Sequence, residues 1–365
     1  MKRVDSLDYL RGLMAFSVML YHYFSWSFDT LGGEYLLGKL GIYAVSTFYV
    51  LSGISLAIIY KNKFSKSQDL LSYGIKRVFR IFPLFWLAVT SMVLLKLIGN
   101  EINPTGYSVD VLTLFLNYSL LFGFVDPSAY LTTGAWSIGN ELVFYAFFPI
   151  FVILARFSRL AFFSAVFLTA IIYFYYAFFI LHDSQTLSAQ WEHYINPFNQ
   201  LFLFAAGVSI GLYVKPRFFF NKRYLLFILL ALSLLVIYYP SSGDKVEIVT
   251  GWARVYFTVL CLLFCYVFYA SNFILPGFLG ASLKFLGETS YSIYLLHPII
   301  AKPVILIATK LGVPPLYSYL FICIPITLII SWFVYRLLEK PMMAKGAKLS
   351  KRAALSSYNE SFIKD

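Results

Sequence analysis

Two ionisable side chains in the first apolar segment are spaced so that they could act in one cavity. Residues 7–22 read LDYLRGLMAFSVMLYH, with Arg11 near the start and His22 at the end. Eleven residues at about 100° each complete about three helical turns, so both side chains would project from one face, roughly 16.5 Å apart. Imidazole exchanges protons near neutral pH and suits general acid–base catalysis. If the segment crosses a membrane, the alternative is that the Arg11 side chain extends to the membrane surface. His22 would then form a hydrogen bond with a neighbouring helix.

A second polar stripe lies in the segment GAWSIGNELVFYAFFP. Ser137, Glu141 and Tyr145 follow one another at four-residue intervals, which places them along one face of an apolar helix. A carboxylate there needs either a cation or a bound proton, and both states suit a group that orients an imidazole or exchanges a proton. We therefore predict that Glu141 orients or charge-balances His22, whereas a structural ion pair is the alternative. Trp136, Ser137 and Tyr145 are predicted to line the cavity.

A third polar stripe lies in LGETSYSIYLLHPI, where Ser290, Tyr294 and His297 occupy positions i, i+4 and i+7 of an apolar helix. These three side chains are also predicted to line the cavity. Pro298 directly follows His297, so the alternative is a structural imidazole at a kinked helix.

Two groups of charged residues lie where apolar segments begin or end. In SYGIKRVFRIFPLFW, Lys76, Arg77 and Arg80 precede an apolar run. They could be ordinary cytoplasmic positive charge, or Arg77 and Arg80 could bind phosphates, because guanidinium groups bind phosphate oxygens in pairs. In YRLLEKP, Arg336 and Glu339 are three residues apart and are expected to pair with each other.

The composition indicates that these stripes belong to a membrane protein. The chain has 365 residues, of which 60% are hydrophobic and only 13% are charged, whereas soluble domains are roughly 45–50% apolar and about 25% charged. Apolar stretches of about 20 residues, long enough to cross a bilayer, recur throughout. The predicted fold is an all-α, polytopic transmembrane helix bundle of about ten spans. They are placed near 6–26, 37–60, 83–98, 137–155, 160–181, 198–214, 224–240, 253–270, 285–306 and 316–337.

The distribution of Lys and Arg predicts the orientation of this bundle. The stretches 99–134 and 182–197, which are predicted to lie outside, contain neither residue type, whereas the segments predicted to lie inside are basic, so both termini are predicted to be cytoplasmic. The basic positions predicted to be inside are those of the Lys-rich tail and Lys2, Arg3, Lys61, Lys63, Lys66, Lys76, Arg77, Arg80, Arg156, Arg159, Lys215, Arg217, Lys222 and Arg223. The segment 109–123 is apolar but short, and is predicted to be a re-entrant or interfacial helix.

The chain divides into two predicted parts. Residues 1–341 form the membrane domain, and residues 342–365 form a basic cytoplasmic tail on or near anionic lipid. The first apolar run has no small-residue cleavage site after it, so it is predicted to be a span and not a signal peptide. The net charge of +12 is explained by the cytoplasmic connections and does not indicate nucleic acid.

No metal or disulfide framework is predicted. Cys261, Cys265 and Cys323 all lie in apolar runs, which favours packing roles. His22 and His297 lack a second histidine four residues away, so neither a zinc nor a haem site is expected.

Six of these segments resemble motifs of the acyltransferase-3 family of integral membrane acyltransferases, in the family's order and over nearly the whole chain. The family patterns are Arg-x10-His, FFxLSGF, RRxxRIxPxY, WSLxxExxFY, ISYSxYLxH and YRxxExP. The matching segments here are LDYLRGLMAFSVMLYH, STFYVLSGISLA, KRVFRIFPLFW, WSIGNELVFY, TSYSIYLLHP and YRLLEKP. The chain departs from the family at Ile54, where an aromatic residue is usual, and at Asn140, where another polar or acidic residue is common.

The resemblance implies a bacterial cytoplasmic (inner) membrane enzyme that O-acetylates surface glycans. Acetyl-CoA would be the acyl donor, bound by Arg77, Arg80 and Arg11. The acceptor would be a hydroxyl of a glycan or lipid-linked sugar, such as O-antigen or exopolysaccharide. His22 would be the general base, assisted by Glu141. The short basic tail resembles that of stand-alone members, which lack an extracytoplasmic esterase-like domain.

Two other function classes compete with this interpretation. A transporter or flippase for a lipid-linked glycan would also place Arg, Glu and His within the membrane, although the sequence lacks inverted repeats. A sensor or assembly scaffold would need no intramembrane acid and base. Direct transfer and an acyl-enzyme relay both remain open, and the sequence does not fix the oligomeric state.

Overall fold

The computed structural model describes residues 4–28, 31–102, 108, 110–216 and 222–362, without the side chains of residues 102, 222 and 354–362. Within these ranges the chain is helical and contains no strand. This agrees with the predicted all-α class. Three residues used to predict the orientation, Lys2, Arg3 and Arg217, lie outside the described residues.

The first half of the described chain contains seven α-helices. They are α1 (Asp5–Ser27), α2 (Leu36–Tyr60), α3 (Ser67–Ile102), α4 (Val111–Ser119), α5 (Phe122–Val125), α6 (Ala135–Phe157) and α7 (Arg159–Tyr175). A π-helical turn (Tyr176–Ile180) extends α7, and a 3-10 turn (Leu187–Gln190) precedes the second half.

The second half contains ten α-helices and two π-helical turns. They are α8 (Trp191–Ile195), α9 (Pro197–Tyr213), α10 (Lys222–Ile237), α11 (Val246–Val249), α12 (Gly251–Ser271), α13 (Gly277–Glu288), α14 (Ser290–Lys310), α15 (Pro315–Ser318), a π-turn (Tyr319–Cys323), α16 (Ile324–Val334), a second π-turn (Tyr335–Glu339) and α17 (Lys340–Phe362).

Seven helical stretches among the described residues are long and apolar enough to cross a membrane. An eighth would be counted if the segments Leu187–Ile195 and Pro197–Tyr213, which meet at 58°, form one broken span. The predicted count of about ten is therefore not confirmed. The two remaining predicted spans do form helices, but α1 carries charged groups in its first turns and α10 has only 16 residues.

Close backbone contacts between small residues fix the position of α2. Gly53 faces the carbonyl oxygen of Phe204 on α9, and Gly207 faces the carbonyl oxygen of Val50 on α2. A β-carbon at either glycine would overlap the opposite backbone, and such small-residue contacts are common between membrane helices. The contact holds α2 against α9 on one side, while its other side presents serines to the interior of the bundle.

The segment 109–123, apart from residue 109, which is outside the described residues, forms α4 and α5. Neither helix has the length of a span. The Trp86 indole donates to the Tyr118 carbonyl at 2.8 Å, and the Thr90 and Tyr118 hydroxyls lie 2.7 Å apart. These bonds attach α4 to the side of α3.

The basic segment after residue 341 continues a helix without a break. Residues Pro315–Ala353 form one helical path, and α17 packs along α3. Ser72 donates to the Ser350 hydroxyl at 3.1 Å, and a β-carbon on Gly346 would collide with Phe79. The predicted tail is thus attached to the bundle as far as Ser350, and residues 363–365 lie outside the described residues.

Candidate active site

A cavity of about 330 Å³ has Asp8, Arg11 and Ile59 in its lining, near one end of the bundle. This end, called here the basic end, is where α2 and α6 finish and where α1 and α3 begin. The cavity wall runs along α2 from Ile59 to Val45, a rise of roughly 21 Å. Its lining includes eight of the predicted site residues: Arg11, Arg77, Arg80, Ser137, Glu141, Tyr145, Ser290 and Tyr294.

Arg11 lies in the cavity wall and is held by neighbours on α1 and α2. Its guanidinium donates to Asp8 at 2.8 Å, to the Leu51 carbonyl at 3.3 Å and to the Ser55 hydroxyl. Asp8 is nearly buried, with 4% of its side chain exposed. The positive charge of Arg11 is therefore balanced within the protein.

Arg80 is also paired with a carboxylate. It donates to Glu339 at 2.7 Å, and the Glu339 side chain is 1% exposed and also accepts from Ser292. The predicted pairing of Arg336 with Glu339 is wrong. The two residues sit in a π-helical turn, whose geometry differs from the α-helical one assumed for that pairing. Arg336 instead lies 5.3 Å from the centre of the Trp332 ring.

Arg77 differs from the other two arginines of the cavity. Its guanidinium lies against the rings of Tyr145 and Tyr73, at 5.6 Å and 5.9 Å from their centres. Its Nε is buried without a hydrogen-bond partner. Among the described residues it has no ion pair within 4.0 Å. Arg77 thus contributes to the cavity lining a positive charge that no direct ion pair cancels in the described chain.

Glu141 lies in the same network as Arg77. Its Oε1 accepts from Ser52 at 2.7 Å and from the Tyr145 hydroxyl. The predicted contact between Glu141 and His22 does not form: Glu141 lines the cavity with partners from α2 and from the next turn of α6, whereas His22 lies outside the lining and pairs with His297. Ser52 was not predicted as a site residue. The signal that could have identified it is a polar side chain within the mainly apolar segment STFYVLSGISLA.

Tyr294 and Phe48 close the inner end of the cavity. The Tyr294 hydroxyl donates to the Gly134 carbonyl at 3.1 Å and lies 2.8 Å from the Ser137 hydroxyl. Phe48 packs edge-on against the Tyr294 ring, with 6.0 Å between ring centres. Ser290, which also lines the cavity as predicted, donates to the Gly287 carbonyl at 3.0 Å.

The two predicted histidines lie together behind this wall. His22 Nδ1 is 2.8 Å from His297 Nε2, and the His297 ring packs against Tyr294 with 6.4 Å between centres. Neither histidine belongs to the cavity lining. The prediction that Arg11 and His22 line one cavity therefore differs from the structure, since Tyr294 and Phe48 separate the two levels.

The two predicted site regions each contain a tryptophan, and only Trp26 contacts the histidine pair. Trp26 stacks on His22 with 11° between planes and is 37% exposed. Trp136, in contrast, is 6% exposed and packs against Trp191 and Tyr194 outside the cavity lining.

In the part of the chain that the structure describes, no cluster of three His, Cys, Asp or Glu residues could hold a metal ion.

Comparison with known proteins finds a family model and relatives whose names are all those of acyltransferases or acetyltransferases. A family model described as an acyltransferase domain matches residues 4–336. The "Putative peptidoglycan O-acetyltransferase YrhL" of Bacillus subtilis is 23% identical over 98% of this chain and 58% of that protein. A "Putative O-acetyltransferase" of Staphylococcus aureus is 24% identical over 100% of this chain and 61% of that protein.

A further relative has a length closer to that of the chain. A "Putative acetyltransferase" of the Acidianus two-tailed virus is 24% identical over 83% of this chain and 85% of that protein. The chain thus spans about three fifths of the bacterial relatives and most of the viral one. No solved structure matches significantly.

Proposed function

The chain belongs to the acyltransferase-3 family of membrane acyltransferases, and we propose that it transfers an acetyl group from acetyl-CoA to a glycan hydroxyl. The acceptor is a surface or lipid-linked sugar, such as O-antigen or exopolysaccharide. The single observation that carries this proposal is the geometry of the cavity. It holds the Arg77 guanidinium, which has no direct ion pair among the described residues, toward the basic end and reaches Tyr294, which packs against His297, at the other.

Arg77 is the proposed contact for the coenzyme A phosphates. Arg11 and Arg80 are each engaged by a carboxylate, so their charges are largely balanced within the protein. Arg77 lies against aromatic rings and near Glu141, but has no direct ion pair among the described residues, and guanidinium groups bind phosphate oxygens strongly through paired hydrogen bonds. Arg11 and Arg80 then shape the entrance, and the narrow pantetheine arm follows the cavity inward.

The reaction uses His22 as general base. His22 removes the proton of the acceptor hydroxyl while the oxygen attacks the thioester carbonyl carbon. The carbon–sulfur bond then breaks, and the coenzyme leaves as the thiol after taking up the proton. For the thioester to reach His22, the side chains of Phe48 and Tyr294 must move aside, because they separate the cavity from the histidines.

Glu141 supports the donor side of this reaction. The carboxylate accepts from Tyr145, whose ring lies against Arg77, so it holds the arginine and the tyrosine in one arrangement. Glu141 is thus assigned a role in positioning the donor, in place of the predicted contact with His22.

The proposed location is the bacterial cytoplasmic membrane, with the basic end facing the cytoplasm. Coenzyme A is a cytoplasmic polyanion, and Lys63, Lys76 and Arg156 lie with the cavity entrance at the basic end. Positive residues concentrate on the cytoplasmic side of membrane proteins. His22 and Trp26, near the other end of α1, would then meet an acceptor that arrives from outside.

The test is acetyl transfer by the purified protein in lipid vesicles. Vesicles are supplied with radiolabelled acetyl-CoA on the side of the basic end and with glycan purified from the host envelope. We expect label to appear on the glycan, and alkaline release of the label as acetate to identify an ester. Movement of the glycan without acetylation would establish a transporter and contradict the proposal.

A further inference from the structure

The histidine pair is anchored at one end by a backbone carbonyl. His297 Nδ1 lies 2.9 Å from the carbonyl oxygen of Ile293, and His297 Nε2 lies 2.8 Å from His22 Nδ1. A carbonyl oxygen can only accept hydrogen bonds. His297 Nδ1 must therefore carry a hydrogen.

This anchor determines the protonation of both rings. In a neutral imidazole one nitrogen donates and the other accepts, so His297 Nε2 has a lone pair directed at His22. His22 Nδ1 must then carry the hydrogen that lies between the rings. The doubly protonated form of His297 is disfavoured, because the residue is 1% exposed and a buried charge without an opposite charge is costly.

We propose that His297 is a positioning residue that holds His22 in the tautomer with hydrogen on Nδ1. The lone pair of His22 is then on Nε2, at the far side of the ring from His297. The hydrogen bond made by one ring nitrogen commonly decides which nitrogen of a histidine does chemistry. This inference rests on the proposed function in one respect, which is the use of that lone pair as the general base.

The surroundings of His297 prevent it from turning away. The Tyr23 hydroxyl donates to the His297 carbonyl at 3.2 Å and also lies 3.1 Å from the Thr327 hydroxyl. The Tyr23 and Tyr294 rings both pack edge-on against the imidazole. The plane of the His22 ring is in turn fixed by Trp26, which stacks on it. Both rings are therefore held in the orientation that the hydrogen bond requires.

The two nitrogens of His297 can be tested separately with two amides. In His297→Gln, the longer side chain can place its carbonyl oxygen near the position of Nε2 and accept from His22. In His297→Asn, the shorter side chain can place its amide near Nδ1 and donate to Ile293, but it offers no acceptor to His22. Only the glutamine variant preserves the proposed function of His297.

The expected kinetic result is a difference between these variants. His297→Gln should retain transfer within about tenfold of the original protein. His297→Asn should lose on the order of 10²-fold or more in kcat, because general-base catalysis contributes at least that much. The KM for acetyl-CoA should stay unchanged in both, since His297 lies outside the cavity lining. A structural role through Ile293 predicts the reverse order, and that order would overturn the proposal.

A direct measurement of the tautomer does not depend on activity. Nitrogen-15 NMR of histidine-labelled protein distinguishes protonated from unprotonated ring nitrogens, and the chain has 4 histidines, so a His22→Ala sample assigns the relevant signal. We expect His22 to carry its hydrogen on Nδ1 in the original protein and in His297→Gln, and to show a mixture in His297→Asn. Hydrogen on Nε2 in the original protein would refute the inference. The expected tautomer in a protein that transfers no acetyl group would contradict only the proposed function.

Discussion

Arg77 and Arg80 are three residues apart on α3 but should respond differently to the same substitution. Arg77→Met retains an apolar side chain between Tyr73 and Tyr145 while it removes the proposed phosphate contact. A hydrogen bond to a charged group contributes about 1.5–3 kcal/mol. The affinity for acetyl-CoA should therefore fall roughly 10-fold to 150-fold, with little change in stability. Arg77→Lys should give an intermediate affinity, because it keeps the charge but loses the paired donors.

Arg80→Met is the matched control and should act on stability. It leaves Glu339 buried, with 1% of its side chain exposed, and without its cation. Breaking a buried ion pair on one side costs roughly 3–5 kcal/mol, so the melting temperature and the amount of protein in membranes should both fall. The double variant with Glu339→Gln should recover much of this loss, because no unpaired carboxylate remains. Donor affinity of the folded fraction should stay close to that of the original protein.

The assay for both variants is calorimetric titration of the protein in lipid nanodiscs. Titrations with coenzyme A and with its form lacking the 3′-phosphate show how much binding depends on phosphate. We expect Arg77→Met to bind coenzyme A more weakly and Arg80→Met, once folded, to bind it normally. If a stable Arg77→Met protein binds coenzyme A as tightly as the original, the assignment of Arg77 to the phosphates is refuted.

Two further substitutions test the other parts of the site. Glu141→Gln keeps the shape of the side chain but removes the charge that holds Tyr145 beside Arg77; we expect turnover to fall at least tenfold with the melting temperature nearly unchanged, measured by transfer assay and thermal denaturation. Failure of this variant to accumulate would show a structural ion-pair role instead. Insertion of one alanine between Phe16 and Ser17 turns His22 by about 100° relative to Arg11; we expect transfer to be lost while calorimetry still detects coenzyme A. Normal transfer by this variant would contradict the paired-histidine geometry.

The polar stripes of the site could be predicted because their spacing is local. Ser137, Glu141 and Tyr145 do share one helix, α6, and all three line the cavity with Tyr294. Helical periodicity suffices for this, since residues four apart lie on the same face of a helix whatever packs against it.

The partners of these residues could not be predicted from the same pattern. Glu339 pairs with Arg80, 259 residues away in sequence, and His22 meets His297 across 275 residues. Such contacts depend on which helices become neighbours and how each is rotated, and neither quantity is encoded in the spacing within one segment. The wall formed by Phe48 and Tyr294 was missed for the same reason.

The extent of the spans was predicted less well than their positions. Apolar content locates helices, but α3 continues from Ser67 to Ile102, well beyond the predicted span of 83–98. Charged residues near the basic end belong to the same helix as the apolar ones, so hydropathy underestimates its length. The basic segment after Pro341 likewise looks like a separate tail by composition, whereas contacts of Gly346 and Ser350 with α3 hold this part of it against the bundle.

Acetyl transfer by His22→Ala, measured together with donor affinity, tests the central claim most directly. The matched control is His182→Ala. The His182 side chain is exposed, and only its backbone forms hydrogen bonds with Gln190, so these are kept in the variant. With radiolabelled acetyl-CoA and envelope glycan in vesicles, His22→Ala should lose at least the roughly 10²-fold to 10⁴-fold that general acid–base catalysis contributes, while it binds coenzyme A normally. His182→Ala should transfer as the original protein does. Near-normal transfer by a folded His22→Ala protein would contradict the account and leave His22 as a packing residue between α1 and α14.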